Sequence, residues 1–180
     1  MDFVTAIKTV FSKYATFTGR ARRSEFWYWY LFSVILNLVT CWMPGINMLV
    51  SLAILLPTLA VAIRRLHDTN RSGWWLLLSI VPSLVAMCVL VSIVGAAIVS
   101  IASGASDVDP ESMAILFASN IGLLVLYLLC ILLAFVGAII LIVWWASDSQ
   151  PGDNQYGPNP KTVSSDNNPT MPDIPEVPKN

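Results

Sequence analysis

The stretch FWYWYLFSVILNLVTCWMPGINMLVSLAILLPTLAVAI, Phe26 to Ile63, runs for 38 residues without one Asp, Glu, Lys or Arg. As a single helix it would be about 57 Å long, nearly twice the ~30 Å hydrocarbon core of a bilayer. Near its middle Pro44-Gly45 is followed by Asn47, a combination that turns a chain. The stretch therefore predicts a helical hairpin, with a first span over Phe26–Met43 and a second over Ile46–Ile63. Pro57 inside the second leg removes one helix hydrogen bond and predicts a kink there.

Two further uncharged runs follow, Ser72–Ser106 and Ser112–Ser147. The first gives a third span from Trp74 to about Ala102, kinked at Pro82. The second gives a fourth span from about Phe117 to Trp145. The whole chain agrees: of 180 residues 56% are hydrophobic and 12% charged, where soluble domains carry about 25% charged residues. So few ions cannot cover a water-soluble globule, and so apolar a chain is not disordered. The expected fold class is all-α, a polytopic membrane protein with four transmembrane helices and an N-terminal amphipathic helix. Cys41, Cys88 and Cys130 all lie in apolar runs, which excludes a disulfide framework or a zinc spacing.

The cations fix the orientation. Lys8, Lys13, Arg20, Arg22 and Arg23 precede the first span, Arg64, Arg65 and Arg71 link the second to the third, and Lys161 and Lys179 follow the fourth. The other two links hold none, and Asp107, Asp109 and Glu111 make the second of them acidic. The positive-inside rule then places both termini and the link between the second and third spans in the cytoplasm. Trp27, Trp29, Trp74, Trp75, Trp144 and Trp145 fall at the same side as interface anchors. No cleavable signal sequence is expected, since the first 25 residues lack an unbroken apolar core. Phe3, Ile7, Val10, Phe11 and Tyr14 recur at helical spacing, so residues 1–25 read as a cytoplasmic amphipathic helix with an Arg motif. That helix lies either on the membrane surface or against the protein's own loops. Residues 26–146 form the membrane domain. Residues 147–180 form a Pro/Asn-rich cytoplasmic tail, largely disordered from about Lys161, whose first part, Pro151–Pro160, has the turn chemistry to fold back.

Three motifs carry the remaining signal: Gly19-Arg20 with Arg23-Ser24-Glu25-Phe26-Trp27; Arg64-Arg65-Leu66-His67-Asp68 with Ser72-Gly73-Trp74-Trp75; and Asn154 with Tyr156-Gly157-Pro158 and Pro160. In this order they resemble the bacterial inner-membrane family catalogued as domain of unknown function 805 (DUF805). The resemblance covers roughly residues 15–82 and 137–160, and the stretch between reads as an additional inserted membrane segment. It implies a location and a motif set, and no mechanism.

The motifs themselves allow several functions. Arg20, Arg22, Arg23, Arg64, Arg65 and Arg71 sit where spans leave the membrane, and a guanidinium fork matches phosphate. They could bind an anionic lipid headgroup or a protein partner, or simply set topology; the use of Arg at all six places favours pairing by the fork. Glu25 and Asp68 read as counter-ions and Ser72 as the N-cap of the third span. His67-Asp68 is not a dyad by adjacency alone, because neighbours on a helix point about 100° apart. One His with one Asp also falls short of a metal site. No enzyme, cofactor, metal or nucleic-acid partner is expected. The alternative, a small-solute transporter or channel subunit, lacks an ionisable residue within a span. Ser92, Ala96, Ser100 and Gly104, with Ala114, Ala118 and Gly122, recur every four residues, and such rows let helices approach. They predict packing of the third span on the fourth, or homo-oligomerisation.

Overall fold

The computed structural model describes residues 1–102 and 110–161. Among them are five α-helices and no strand: α1 Phe3–Ser12, α2 Arg23–Thr40, α3 Pro44–Asp68, α4 Leu77–Ala102 and α5 Pro110–Ala146, with a 3-10 turn at Gly73–Leu76 ahead of α4. Three stretches are long and apolar enough to cross a membrane: Pro44–Asp68, Gly73–Val99 and Asn120–Ala146. The helix expected as the first span, α2, is shorter, 18 residues, and carries Arg23 and Glu25 in its first turn. The acidic link at Asp107 and Asp109 and the tail beyond Lys161 lie outside the described residues. The chain divides into two compact units, Met1–Gly73 with the segment from Trp144 onward, and Trp74–Val143.

In the first unit, Asp2 caps α1 by accepting the Thr5 N–H at 3.2 Å. Ala6 and Val10 are fully buried, and Phe11 sets its ring edge-on to Trp29 at 5.1 Å. α1 thus packs on α2. Pro44 opens α3 at a position where no N–H is needed. The hairpin is then held by polar side chains: Ser51 Oγ donates to Asn37 Oδ1 at 2.8 Å, Asn47 Nδ2 to Thr40 Oγ1 at 2.9 Å, and Trp29 Nε1 to Thr58 Oγ1 at 3.0 Å. α3 continues as helix through Pro57. A proline has no N–H for the carbonyl four residues back, which here is Ala53, and the Tyr14 hydroxyl donates to that carbonyl. A lipid-facing backbone group left without a partner would be costly.

The second leg does not stop at Ile63 as expected. α3 runs on to Asp68, so Arg64, Arg65, His67 and Asp68 stand on a helix and not in a link. The helix ends because Asn70 takes a left-handed conformation, φ 58°. Its N–H reaches the His67 carbonyl and the Arg71 N–H the Leu66 carbonyl, both at 3.0 Å. These are the two bonds of a Schellman cap, with Asn in the place glycine usually fills.

In the second unit, the third span opens with the 3-10 turn, so Ser72 precedes that turn rather than an α-helix. α4 and α5 approach where Ser79 Oγ donates to the Ala134 carbonyl at 3.1 Å. A Cβ on Gly137 would sit 3.0 Å from the Leu78 carbonyl oxygen. Buried Cys130, Ala134 and Leu141 fall on the same α5 stripe as Gly137, at helical spacing. Of the small-residue rows read from sequence, Gly104 lies outside the described residues; Ser92 and Ala118 are exposed, and a Cβ on Gly122 would meet nothing within 4 Å.

Candidate functional site: the arginine cap

Asp68, at the last position of α3, is completely buried and organises the first unit. Its Oδ1 accepts from Arg20 Nε at 3.0 Å. Its Oδ2 accepts from Arg65 Nη1 and from Ser149 Oγ, the latter at 2.6 Å. The spacing explains the Arg65 pairing, because residues three apart share a helix face. Arg20 arrives on an extended segment whose backbone is tied to the same helix end, Ala21 N–H donating to the Arg64 carbonyl at 3.0 Å. Arg64, one position back, turns to Glu25 in the first turn of α2, Nη1 to Oε1 at 2.6 Å. Both motifs thus interlock through their counter-ions. Removing either carboxylate would strand buried guanidinium charge, at about 3–5 kcal/mol.

The segment after α5 closes over this knot. Arg65 Nε donates to the Trp145 carbonyl at 3.0 Å and Nη2 to the Ser147 carbonyl. Arg20 Nη1 donates to the Gly152 carbonyl at 2.8 Å and Nη2 to the Gln150 carbonyl at 2.7 Å. Asn154 N–H and Gly157 N–H each donate to the other's carbonyl, folding residues 154–157 into a tight turn. Gly157 makes that turn possible with a φ of 127°. Tyr156 on the turn lies flat on His67, ring centres 3.8 Å apart. His67 Nδ1 donates to the Gly19 carbonyl at 3.2 Å, and Asn154 Nδ2 donates to the His67 carbonyl at 2.9 Å. Residues 148–160 therefore act as a strap across the α3 end.

The six arginines are not one cradle. Arg20, Arg64 and Arg65 are buried and committed to internal partners. Arg22 is half-buried, its Nε donating to the Pro160 carbonyl at 2.7 Å. Arg23 is exposed and pairs with Asp148 at 2.9 Å. That guanidinium, with Lys161 3.7 Å away, holds the Asp148 carboxyl below the usual carboxylate range. Arg71 is half-buried and stacks on Trp144, 4.6 Å from the ring centre. Sequence reasoning put all six on one face because it could place their Cα positions but not the acceptors that draw three of them inward. It also missed Ser149, Asp148 and Gln150, whose only signal is a polar cluster where α5 ends. Trp145 packs on Phe26, ring centres 4.7 Å apart, and Trp27 stands edge-on to Phe26 at 5.3 Å. Trp74 and Trp75, in the second unit, are exposed. Among the described residues no three His, Cys, Asp or Glu side chains gather as metal ligands.

Comparison with known proteins puts these motifs in a family context. The family described as Protein of unknown function (DUF805) matches residues 14–158. Inner membrane protein YhaI of Escherichia coli (strain K12) is 43% identical over 165 residues, covering 87% of this chain and 96% of that protein. Inner membrane protein YhaH of the same organism is 26% identical over 164 residues, covering 84% and 93%. No solved structure matches the chain.

Proposed function

The chain belongs to the DUF805 family, and from that premise we propose a non-catalytic inner-membrane protein whose cytoplasmic cap binds anionic phospholipid headgroups. In this reading α2 to α5 are four spans, and the segments before α2 and after α5 lie in the cytoplasm. α1 sits at the inner interface, with Val4 turned to lipid and Lys8 and Lys13 reaching the headgroups. The single observation that carries the reading is the division of the arginines. Three build the cap, and Arg22, Arg23 and Arg71 remain at its surface, held by neutral carbonyls, a ring and one exposed carboxylate. Such partners are readily exchanged for phosphate, which accepts a guanidinium fork through two oxygens. An exposed ion pair such as Arg23–Asp148 opposes this little.

A catalytic role is disfavoured by how fully the polar groups are engaged. Asp68 takes three donors, and His67 is pinned between Gly19 and Tyr156. Replacing Arg22, Arg23 and Arg71 together with Lys keeps the charge that sets topology and removes the forks. Lipid retained through purification, measured by mass spectrometry, should then lose its enrichment in phosphatidylglycerol and cardiolipin. Unchanged enrichment would refute the reading. Loss of a co-purifying acidic protein instead of lipid would assign the surface to a protein partner.

A further inference from the structure

Three buried side-chain donors in the arginine cap have no acceptor: Arg64 Nε, Arg64 Nη2 and Trp145 Nε1. The group is one-sided, since all three are N–H donors. An acceptor-only partner would satisfy them, whereas a serine hydroxyl or an amide would bring further donors of its own. The two Arg64 atoms are also particular. Nε and Nη2 form the side edge of the guanidinium, whose parallel N–H bonds match two oxygens of one phosphate or carboxylate. Glu25 occupies the opposite tooth, Nη1, and leaves that edge open.

The charge points the same way. Among the described residues, Arg20, Arg64 and Arg65 are buried with two buried carboxylates, Glu25 and Asp68. Arg20 and Arg65 share Asp68 and add backbone carbonyls. Arg64 has a single bond, to Glu25, while being 1% exposed. One unit of positive charge is thus enclosed without an anion, where desolvation is most costly. Trp145 belongs to the same neighbourhood. Its ring packs on Phe26, the residue after Glu25, and its carbonyl accepts from Arg65, the residue after Arg64.

We propose that the Nε–Nη2 edge of Arg64, with the Trp145 indole N–H beside it, is a binding site for one phosphate oxyanion. The site lies inside the cap, beneath the surface contact proposed above, and stands or falls separately from it. It neutralises the enclosed charge and gives each orphaned donor an oxygen. Because the edge is enclosed, exchange requires the strap of residues 148–160 to lift, so the bound oxyanion leaves slowly.

The test uses the full chain, purified in detergent and phosphate-free buffer with prolonged washing. About one phosphorus per chain should remain. If it extracts into organic solvent it is a phospholipid headgroup; if it stays in the aqueous phase it is free phosphate. Arg64→Lys, which keeps the charge and loses the edge, should lower retention at least tenfold, while Gly122→Ala, in the other unit, should retain it. If Arg64→Lys fails to fold, Trp145→Phe keeps the ring and removes one donor, and should weaken retention by about tenfold. Inorganic phosphate or phosphatidylglycerol micelles added to the stripped protein should raise its Tm over chloride at equal ionic strength. The proposal is overturned if washed protein holds no phosphorus and neither probe shifts Tm. It is equally overturned if retention by Arg64→Lys, or by Trp145→Phe where that variant stands in, matches the parent.

Discussion

In the unit that bears the motifs, buried ions join segments far apart in sequence: Arg20 to Asp68, Arg64 to Glu25, and Ser149 to Asp68. In the unit of residues 74–143, Ser79 Oγ meets the Ala134 carbonyl, and α4 comes close to α5 where Gly137 has no side chain. The first arrangement is directional and intolerant, because each donor has a named acceptor and each loss leaves a buried charge. The second relies on close approach and dispersion, which tolerate any substitution that preserves shape.

The contrast breaks most visibly at Asp68. Asp68→Asn leaves two guanidiniums around a neutral amide and should cost about 3–5 kcal/mol. The strap should loosen, read as faster chymotrypsin cleavage at Tyr156, while cross-linking between positions 79 and 134 in the other unit stays unchanged. Next in size is Gly137→Leu. Its Cβ meets backbone rather than a movable side chain, so α4 and α5 must separate, at about 1–3 kcal/mol, and the 79–134 cross-link should fall with Tyr156 still protected. Gly122→Ala, with open space around it, should do neither.

A smaller effect sits at the proline. Tyr14→Phe removes the donor to the Ala53 carbonyl and should cost about 1 kcal/mol in thermal unfolding. In a Pro57→Ala background, where residue 57 regains an N–H for that carbonyl, the same substitution should cost less; equal costs in both backgrounds would mean the hydroxyl does not serve the proline's orphan. The smallest effect is at Asp148. Its carboxyl is held below the usual carboxylate range by Arg23, so the Arg23 contact is present above ordinary carboxylate pKa values and is lost as pH falls through the lowered one. A spin-label pair at positions 24 and 147, which leaves Arg23 and Asp148 in place, should broaden only in strongly acidic buffer.

The helical class and a break near the middle of the first uncharged run were legible in the sequence, because a run longer than a bilayer with a Pro-Gly in it has few other outcomes; the turn itself falls at residues 41–43, and Pro44-Gly45 begin α3. The end of α3 was not. Arg64, Arg65 and Asp68 look like a polar link by composition, yet Asn70 supplies the left-handed cap two residues later, and a cap defined by φ is invisible to hydropathy. Pairing of Arg20 and Arg65 with Asp68 follows from opposite charge on adjoining segments, but Ser149 as the third donor does not. Its partner lies 81 residues earlier, and nothing local in Ser147-Asp148-Ser149 distinguishes a ligand from a solvated loop.

The reach of Arg20 to the strap has a consequence for synthesis. Its acceptors at Gln150 and Gly152 are translated 130 and 132 residues after it, so the cap cannot close until the last helix has left the ribosome. Until then Arg20, Arg65 and Asp68 share a half-built cluster, and the carbonyls that complete it do not yet exist. Contacts so distant in the chain form late. The strap therefore reports completion: a chain stopped at Ala146 would carry all five helices and both arginine motifs, yet leave the guanidiniums that the strap covers without those acceptors.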